Sequence, residues 1–191
     1  GRGRRARRAG VSDVPVPRAL VLGDDGLHRC AWGASTPEYV TYHDTEWGRP
    51  VREDGALYER LVLEGFQSGL SWLTILRKRE HFRSAFAGFD PEVVAGFDEA
   101  DVQRLLGDAG IVRHRGKIQA AIANARALLA MQEAEGQGAL TRLLEQGAPD
   151  DEALAHEGYR RPPRALADLP ASTAATTALA RDLRRRGWRF L

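Results

Sequence analysis

Apolar residues recur at three- and four-residue spacings along most of this chain, and hardly any stretch alternates apolar with polar at a period of two. That pattern predicts an all-α fold. Leu57, Leu61 and Leu63 mark a helix over 54–66 with Asp54 as its cap, and Trp72, Ile75 and Leu76 mark the next over 71–87. Upstream, Ser35-Thr36-Pro37-Glu38 combines a hydroxyl cap, a proline for the first helical position and an acid in the first turn, so a helix starts there. Asp44 to Pro50 reads as a loop. Asp90-Pro91-Glu92 and Asp98-Glu99 start short helices by the same capping logic. The segment from Gln103 to Lys117 reads as a helix turning at Arg113-His114-Arg115-Gly116, followed by another helix that runs through Ala125 to about Glu133 and breaks at Gly136 and Gly138. A short helix at 140–145 precedes a weakly patterned stretch with a loop at Arg161-Pro162-Pro163, and Ser172 or Thr173 caps a last helix that Gly187 stops.

Composition changes this picture mainly at the N-terminus. The 191 residues fit one domain, long enough to bury a real core. Residues 1–29 are Arg-rich, then Pro- and Gly-bearing, and are read as a disordered extension ahead of a helical domain over 30–191. Residues 1–19 hold six arginines against Asp13 while the whole chain is only +2, so the body is slightly acidic. Any contact with nucleic acid must therefore come from local patches rather than overall charge. The single cysteine, Cys30, excludes an internal disulfide framework and agrees with a reducing, cytoplasmic compartment. No apolar run approaches a membrane span, so no membrane partner is expected, and monomer is the default.

Three constellations carry candidate chemistry. Where the helices over 54–66 and 71–87 meet, a turn containing Gly69 and Ser71 leaves Glu64 and Trp72 at the two edges of one corner. A carboxylate and an indole so placed suit a cationic aromatic ligand, although each alone reads more simply as a solvated helix residue and a core aromatic. Trp32, Tyr39, Tyr42, Trp47 and Trp72 form an aromatic set that could wall a base drawn out of a duplex, with Tyr42 and Glu64 reading its edge. Second, the run from Leu105 to Ile118 joins two helices through a hairpin with glycines at its corners. Gly110 and Gly116 could expose backbone N–H groups to a phosphate, with Arg113, Arg115 and Lys117 supplying charge; the alternative is a solvated corner. Third, Cys30 and His43 are candidate zinc ligands, but a structural site needs about four and the chain has no second cysteine.

Together these segments resemble a known family. Cys30-Ala31-Trp32, then Tyr42-His43-Asp44-x-Glu46-Trp47-Gly48, then Leu63-Glu64-Gly65-x-Gln67-x-Gly69-Leu70-Ser71-Trp72, then Asp108-Ala109-Gly110-Ile111-x-Arg113-His114-Arg115-Gly116-Lys117-Ile118 are similar, in order and spacing, to the DNA-3-methyladenine glycosylase I family of bacteria. The resemblance runs from Cys30 to Leu191 and is loose between about 135 and 165. It implies a helix-hairpin-helix DNA glycosylase fold and hydrolysis of the N-glycosidic bond of 3-methyladenine in double-stranded alkylated DNA, a step of base-excision repair. By similarity, Glu64 and Tyr42 would hydrogen-bond the extruded base, Trp72 would stack on it, and Trp32 would help close the pocket. Leu70 would fill the gap left in the DNA, and the hairpin with Lys117 would grip the backbone. The helix after Lys117 carries no acid until Glu133, which agrees with a family lacking the catalytic aspartate of its superfamily. No suitably placed lysine implies a lyase step. Methylation at N3 makes the purine a cationic leaving group, so holding it and stabilising developing charge is enough.

Relatives continue past the segment matching Arg186 to Phe190, and that tail supplies a His and a Cys that complete a structural zinc site with Cys30 and His43. The resemblance therefore implies a C-terminally truncated chain with two of four ligands absent. Two other classes compete with the enzyme. A non-catalytic DNA-binding module would keep the hairpin but would not need the set Glu64, Tyr42 and Trp72. A hydrolase of RNA or free nucleotides would make the hairpin superfluous.

Overall fold

The computed structural model describes residues 20–149 and 172–190. The chain enters through an antiparallel hairpin, β1 (Leu20–Leu22) and β2 (His28–Cys30), with Leu20 opposite Cys30 and Leu22 opposite His28. Residues 20–29, expected in the disordered extension, are thus ordered, while 1–19 lie outside the described residues. Three-residue strands are too short for alternation to register. A side chain holds them in place: Arg29, only 6% exposed, forks between Asp25 and Asp44 with contacts of 2.6 Å to each.

Helices follow largely where caps and periodicity place them. They are α1 (Pro37–Thr45), α2 (Asp54–Gln67), α3 (Trp72–Ala85), α4 (Pro91–Ala95), α5 (Glu99–Gly107), α6 (Arg115–Glu135), α7 (Ala139–Gln146) and α8 (Ala174–Arg185). Thr36, Ser71, Asp90, Asp98 and Thr173 cap five of them through their side chains, each accepting from a backbone N–H in the first turn. The boundaries differ in three places. Helix α1 runs through Asp44, which the sequence assigns to a loop. Helix α5 ends at Gly107, so Asp108–His114 is a non-helical connection where the helix was expected to continue toward Arg113. The loop at Arg161-Pro162-Pro163 lies outside the described residues.

The third difference is Asp54, which does not cap α2. Glu53 occupies that position without a side-chain hydrogen bond, and Asp54 turns inward at 6% exposure. Its carboxylate accepts from the Thr141 N–H and hydroxyl at 2.9 Å each and from Gln132 Nε2 at 3.0 Å. Burial pushes the Asp54 carboxyl up, but those donors outweigh it and hold it below the usual range. The start of α2 is thereby tied to α6 and α7.

Helix α6 is the axis. Its inward face is built from Ile118, Ala121, Ile122, Ala125, Leu128 and Met131, and the alanines let α2 and α4 approach closely. Tyr58 of α2 crosses to donate to the Ala121 carbonyl at 2.9 Å. Phe66, Phe82, Phe86 and Phe89 fill the space between α2 and α3, with Phe86 and Phe89 stacked at 5.5 Å. Beyond α8 the chain returns to α6: Asn124 exchanges two hydrogen bonds with the backbone of Arg189, and the Trp188 indole donates to the Met131 sulfur. Among the described residues no helix is long and apolar enough to cross a membrane.

Candidate active site

Three helices converge on one cavity of about 170 Å³. Helix α1 brings Tyr42 and, just past its end, Glu46; α2 brings Glu64; and the start of α3 brings Trp72. The rings of Tyr42 and Trp72 lie 5.6 Å apart, tilted at 57°. Trp72 keeps its indole N–H buried with no hydrogen-bond partner among the described residues. Glu64 is exposed to solvent, yet neighbouring protein partly desolvates its carboxyl and raises it, an effect that Arg60 one helical turn away partly offsets. Burial, and after it the charge of Glu64, raise the Tyr42 phenol, so its hydroxyl stays protonated as a donor. The cavity therefore offers an aromatic wall, a hydroxyl donor and a carboxylate.

Trp32, Tyr39 and Trp47 do not line this cavity; they form an aromatic cluster that meets Tyr42 through Trp32. Trp32 sits edge-on to Tyr39 at 5.6 Å and to Trp47 at 5.2 Å, and lies 6.4 Å from Tyr42. The Tyr39 hydroxyl is already engaged, accepting from the Leu73 N–H at 3.0 Å and so joining α1 to the start of α3. Trp47 stacks on His43 at 5.6 Å and is 43% exposed. Gly33 makes the cluster fit, because a Cβ there would lie 2.5 Å from His43 Cδ2. Gly33→Ala should displace His43 and cost about 1–3 kcal/mol of stability through overpacking, read as a lowered thermal midpoint.

The connection from Asp108 to His114 joins α5 to α6 as the helix-hairpin-helix reading expects, but it uses several of its polar groups internally. The Gly110 N–H is tied back to Asp108 Oδ1 at 2.7 Å, and Lys78 donates to the carbonyls of Ala109 and Gly110. His114 caps α6 through Nδ1, and Gly116 lies in the first turn behind it. Arg113 is exposed and makes no ion pair or hydrogen bond among the described residues, whereas Arg115 pairs with Glu99 at 2.7 Å. Lys117 overturns its expected place in the grip. It is 8% exposed and donates to the carbonyls of Phe66 and Ser68, because burying its stem brings the ammonium to the end of α2. Leu70, 42% exposed, stands on the turn between α2 and α3, which Gly69 closes at a φ of 82°.

The profile of the methyladenine glycosylase family matches residues 32–191. The chain belongs to that family. DNA-3-methyladenine glycosylase 1 of Escherichia coli (strain K12) is 43% identical over 169 residues, spanning 86% of this chain and 84% of that protein. A crystal structure of 3-methyladenine DNA glycosylase I is 44% identical, with a TM-score of 0.73 over 85% of each chain. A second similar structure, from a study of 3-methyladenine recognition by the Staphylococcus aureus enzyme, is 36% identical with a TM-score of 0.73, covering 85% of this chain and 82% of that one.

In this methyladenine glycosylase the cavity also holds an ion-paired cluster to which the sequence analysis gives no role, Glu46 with Arg79 and Arg60. Glu46 is gripped by Arg79 through paired contacts of 2.7 and 2.8 Å, which hold its carboxyl below the usual range, and Arg60 lies 3.8 Å away. The signal was present as helical spacing, since Arg79 stands seven residues after Trp72 on the same face of α3. Zinc fits the described donors poorly. His43 Nδ1 is hydrogen-bonded to Asp44 at 2.9 Å, and among the described residues no group of three or more His, Cys, Asp or Glu is placed to hold a metal ion. Cys30 and His43 alone fall short of the four ligands that a structural zinc takes.

Proposed function

We propose that this chain is a monofunctional DNA glycosylase that hydrolyses the N-glycosidic bond of 3-methyladenine in double-stranded alkylated DNA. The observation that carries the reading is the convergence of Tyr42, Glu64 and Trp72 from three helices on one cavity. A backbone-binding module has no use for that set. The Trp72 indole offers a stacking face, the Tyr42 hydroxyl donates to the base, and the Glu64 carboxylate complements its positive charge. N3-methylation has already weakened the glycosidic bond, so stabilising the departing base suffices without an aspartate to activate water. Leu70, projecting from the turn beside the cavity, is suited to occupy the space the base leaves in the stack. Lys117, buried on carbonyls, is not placed for a lyase step.

The reading is tested by incubating the protein with methylated duplex DNA and measuring free 3-methyladenine. Release supports it; salt-dependent binding without release would instead favour the DNA-binding module. On the DNA side, Arg113 in the connection before α6 is exposed and unpaired among the described residues. Arg113→Ala should weaken duplex binding and reduce the slope of log affinity against log salt by about 1, with a smaller change for Arg115→Ala, whose guanidinium is already paired. An unchanged slope in Arg113→Ala would remove that residue from the backbone contact.

A further inference from the structure

Lys117 sits where neither the pocket nor a phosphate contact explains it. It lies in the first turn of α6, where the helix dipole disfavours a cation, and it is buried, where an ammonium loses its hydration. Its Nζ lies 2.9 Å from the Phe66 carbonyl and 2.6 Å from that of Ser68. The end of α2 leaves such acceptors without helical partners, and the Gln67 carbonyl between them takes the Leu70 N–H at 2.6 Å. Three successive carbonyls are thus held, two of them by one side chain from another helix. What they fix is the turn from Ser68 to Ser71, which carries Leu70 and ends at the cap of α3 immediately before Trp72. On its other side the Lys117 N–H donates to His114 Nδ1, closing the first turn of α6 directly after Arg113.

We propose that Lys117 is a positioning residue for base extrusion, locking the Leu70 turn to the start of α6 so that a hold on the DNA backbone there is transmitted to Leu70 and to the Trp72 wall. This rests on the glycosylase reading above. A plain packing position in this core would be served by an apolar side chain without the desolvation of an ammonium. An ammonium with three donors can instead span two diverging carbonyls and fix the turn between them.

The test compares the parent with Lys117→Met, which keeps length without donors, and Lys117→Gln, which keeps a donor and guards against a variant that does not fold. Three quantities are measured: single-turnover release of 3-methyladenine from matched methylated duplex, the same release with the lesion opposite a mismatched base, and affinity for free 3-methyladenine by equilibrium dialysis. A mismatched base is cheaper to extrude. Lys117→Met should lose about 100-fold in release from matched duplex, as expected for a small misplacement of the reacting base. It should recover part of that loss on the mismatch and bind the free base as the parent does, with Lys117→Gln in between. Adding Leu70→Ala to Lys117→Met should deepen the defect little, because both act on one step. Equal losses on both duplexes with free-base affinity falling in step would make Lys117 a packing residue and overturn the proposal, as would undiminished release. Absence of release by the parent on either duplex would instead overturn the glycosylase reading, and the role in extrusion with it.

Discussion

Replacing Glu64 with glutamine is expected to lower release of 3-methyladenine from methylated duplex about 100-fold or more, the scale of losing one preorganised charge at a reacting centre. The exchange keeps shape and hydrogen-bonding capacity but removes the negative charge facing a cationic base. Duplex affinity should stay near that of the parent, because Glu64 lies on the pocket side of the Leu70 turn. The pH dependence gives a second signature. Burial raises the Glu64 carboxyl above its ordinary value, so it takes up a proton, and activity falls, at a higher pH than an ordinary glutamate would allow. That acidic limb should vanish in Glu64→Gln. Stability runs the opposite way. A carboxyl whose value is raised by folding favours the fold when protonated, and that contribution is lost as pH rises through the folded value. The variant should therefore gain on the parent as pH rises from acid through the raised folded value, and keep that margin unchanged above it. An activity loss accompanied by a matching loss of stability would argue against a recognition role.

The second large effect is structural. Asp54→Ala strips a buried carboxylate from three donors and leaves the Thr141 N–H without its acceptor. We expect about 2–4 kcal/mol of lost stability, measured by denaturant titration, from unpaired buried donors and the lost links among α2, α6 and α7. Asp54→Asn, which retains one acceptor oxygen, should fall between. Because the donors hold the Asp54 carboxyl below its usual range, its contribution is complete above the ordinary aspartate value and disappears as pH falls through the lower folded one. The parent should lose more stability than Asp54→Ala between mildly acidic and strongly acidic solution. Equal losses would mean that the carboxylate is not the group that matters.

Asp54 also shows why some of this molecule was legible in its sequence and some was not. Ser71, Asp90 and Asp98 act on N–H groups within three residues, so the capping signal and the geometry are one local fact. Asp54 carries the same signal, but its partners Gln132 and Thr141 lie 78 and 87 residues away, and the distant donors won. Lys117 failed likewise: a lysine among arginines reads as surface charge, and only the packing of α6 against α2 turns it inward. The hairpin at 20–30 depends on the fork of Arg29 between Asp25 and Asp44, which no periodicity announces. Helix positions follow from spacing, and the corner at Gly69 and Ser71 already pairs Glu64 with Trp72, but spacing cannot tell a pocket aromatic from a core one, so the choice of Tyr42, Glu64 and Trp72 as a pocket rests on motif resemblance. Glu46 was overlooked because its partner Arg79 lies 33 residues away on another helix.

The placement of the tryptophans has an optical consequence. Of the four in the chain, Trp72 forms a pocket wall, while Trp32 and Trp47 stand in the aromatic cluster that meets Tyr42. The fourth, Trp188, is 2% exposed, sits against the Met131 sulfur and is not among the residues that line the cavity. Emission and near-ultraviolet ellipticity that respond to a bound base therefore originate in one locality, against a constant background from a chromophore sealed in the interior. The protein carries its own probe and its own internal reference, with no label attached.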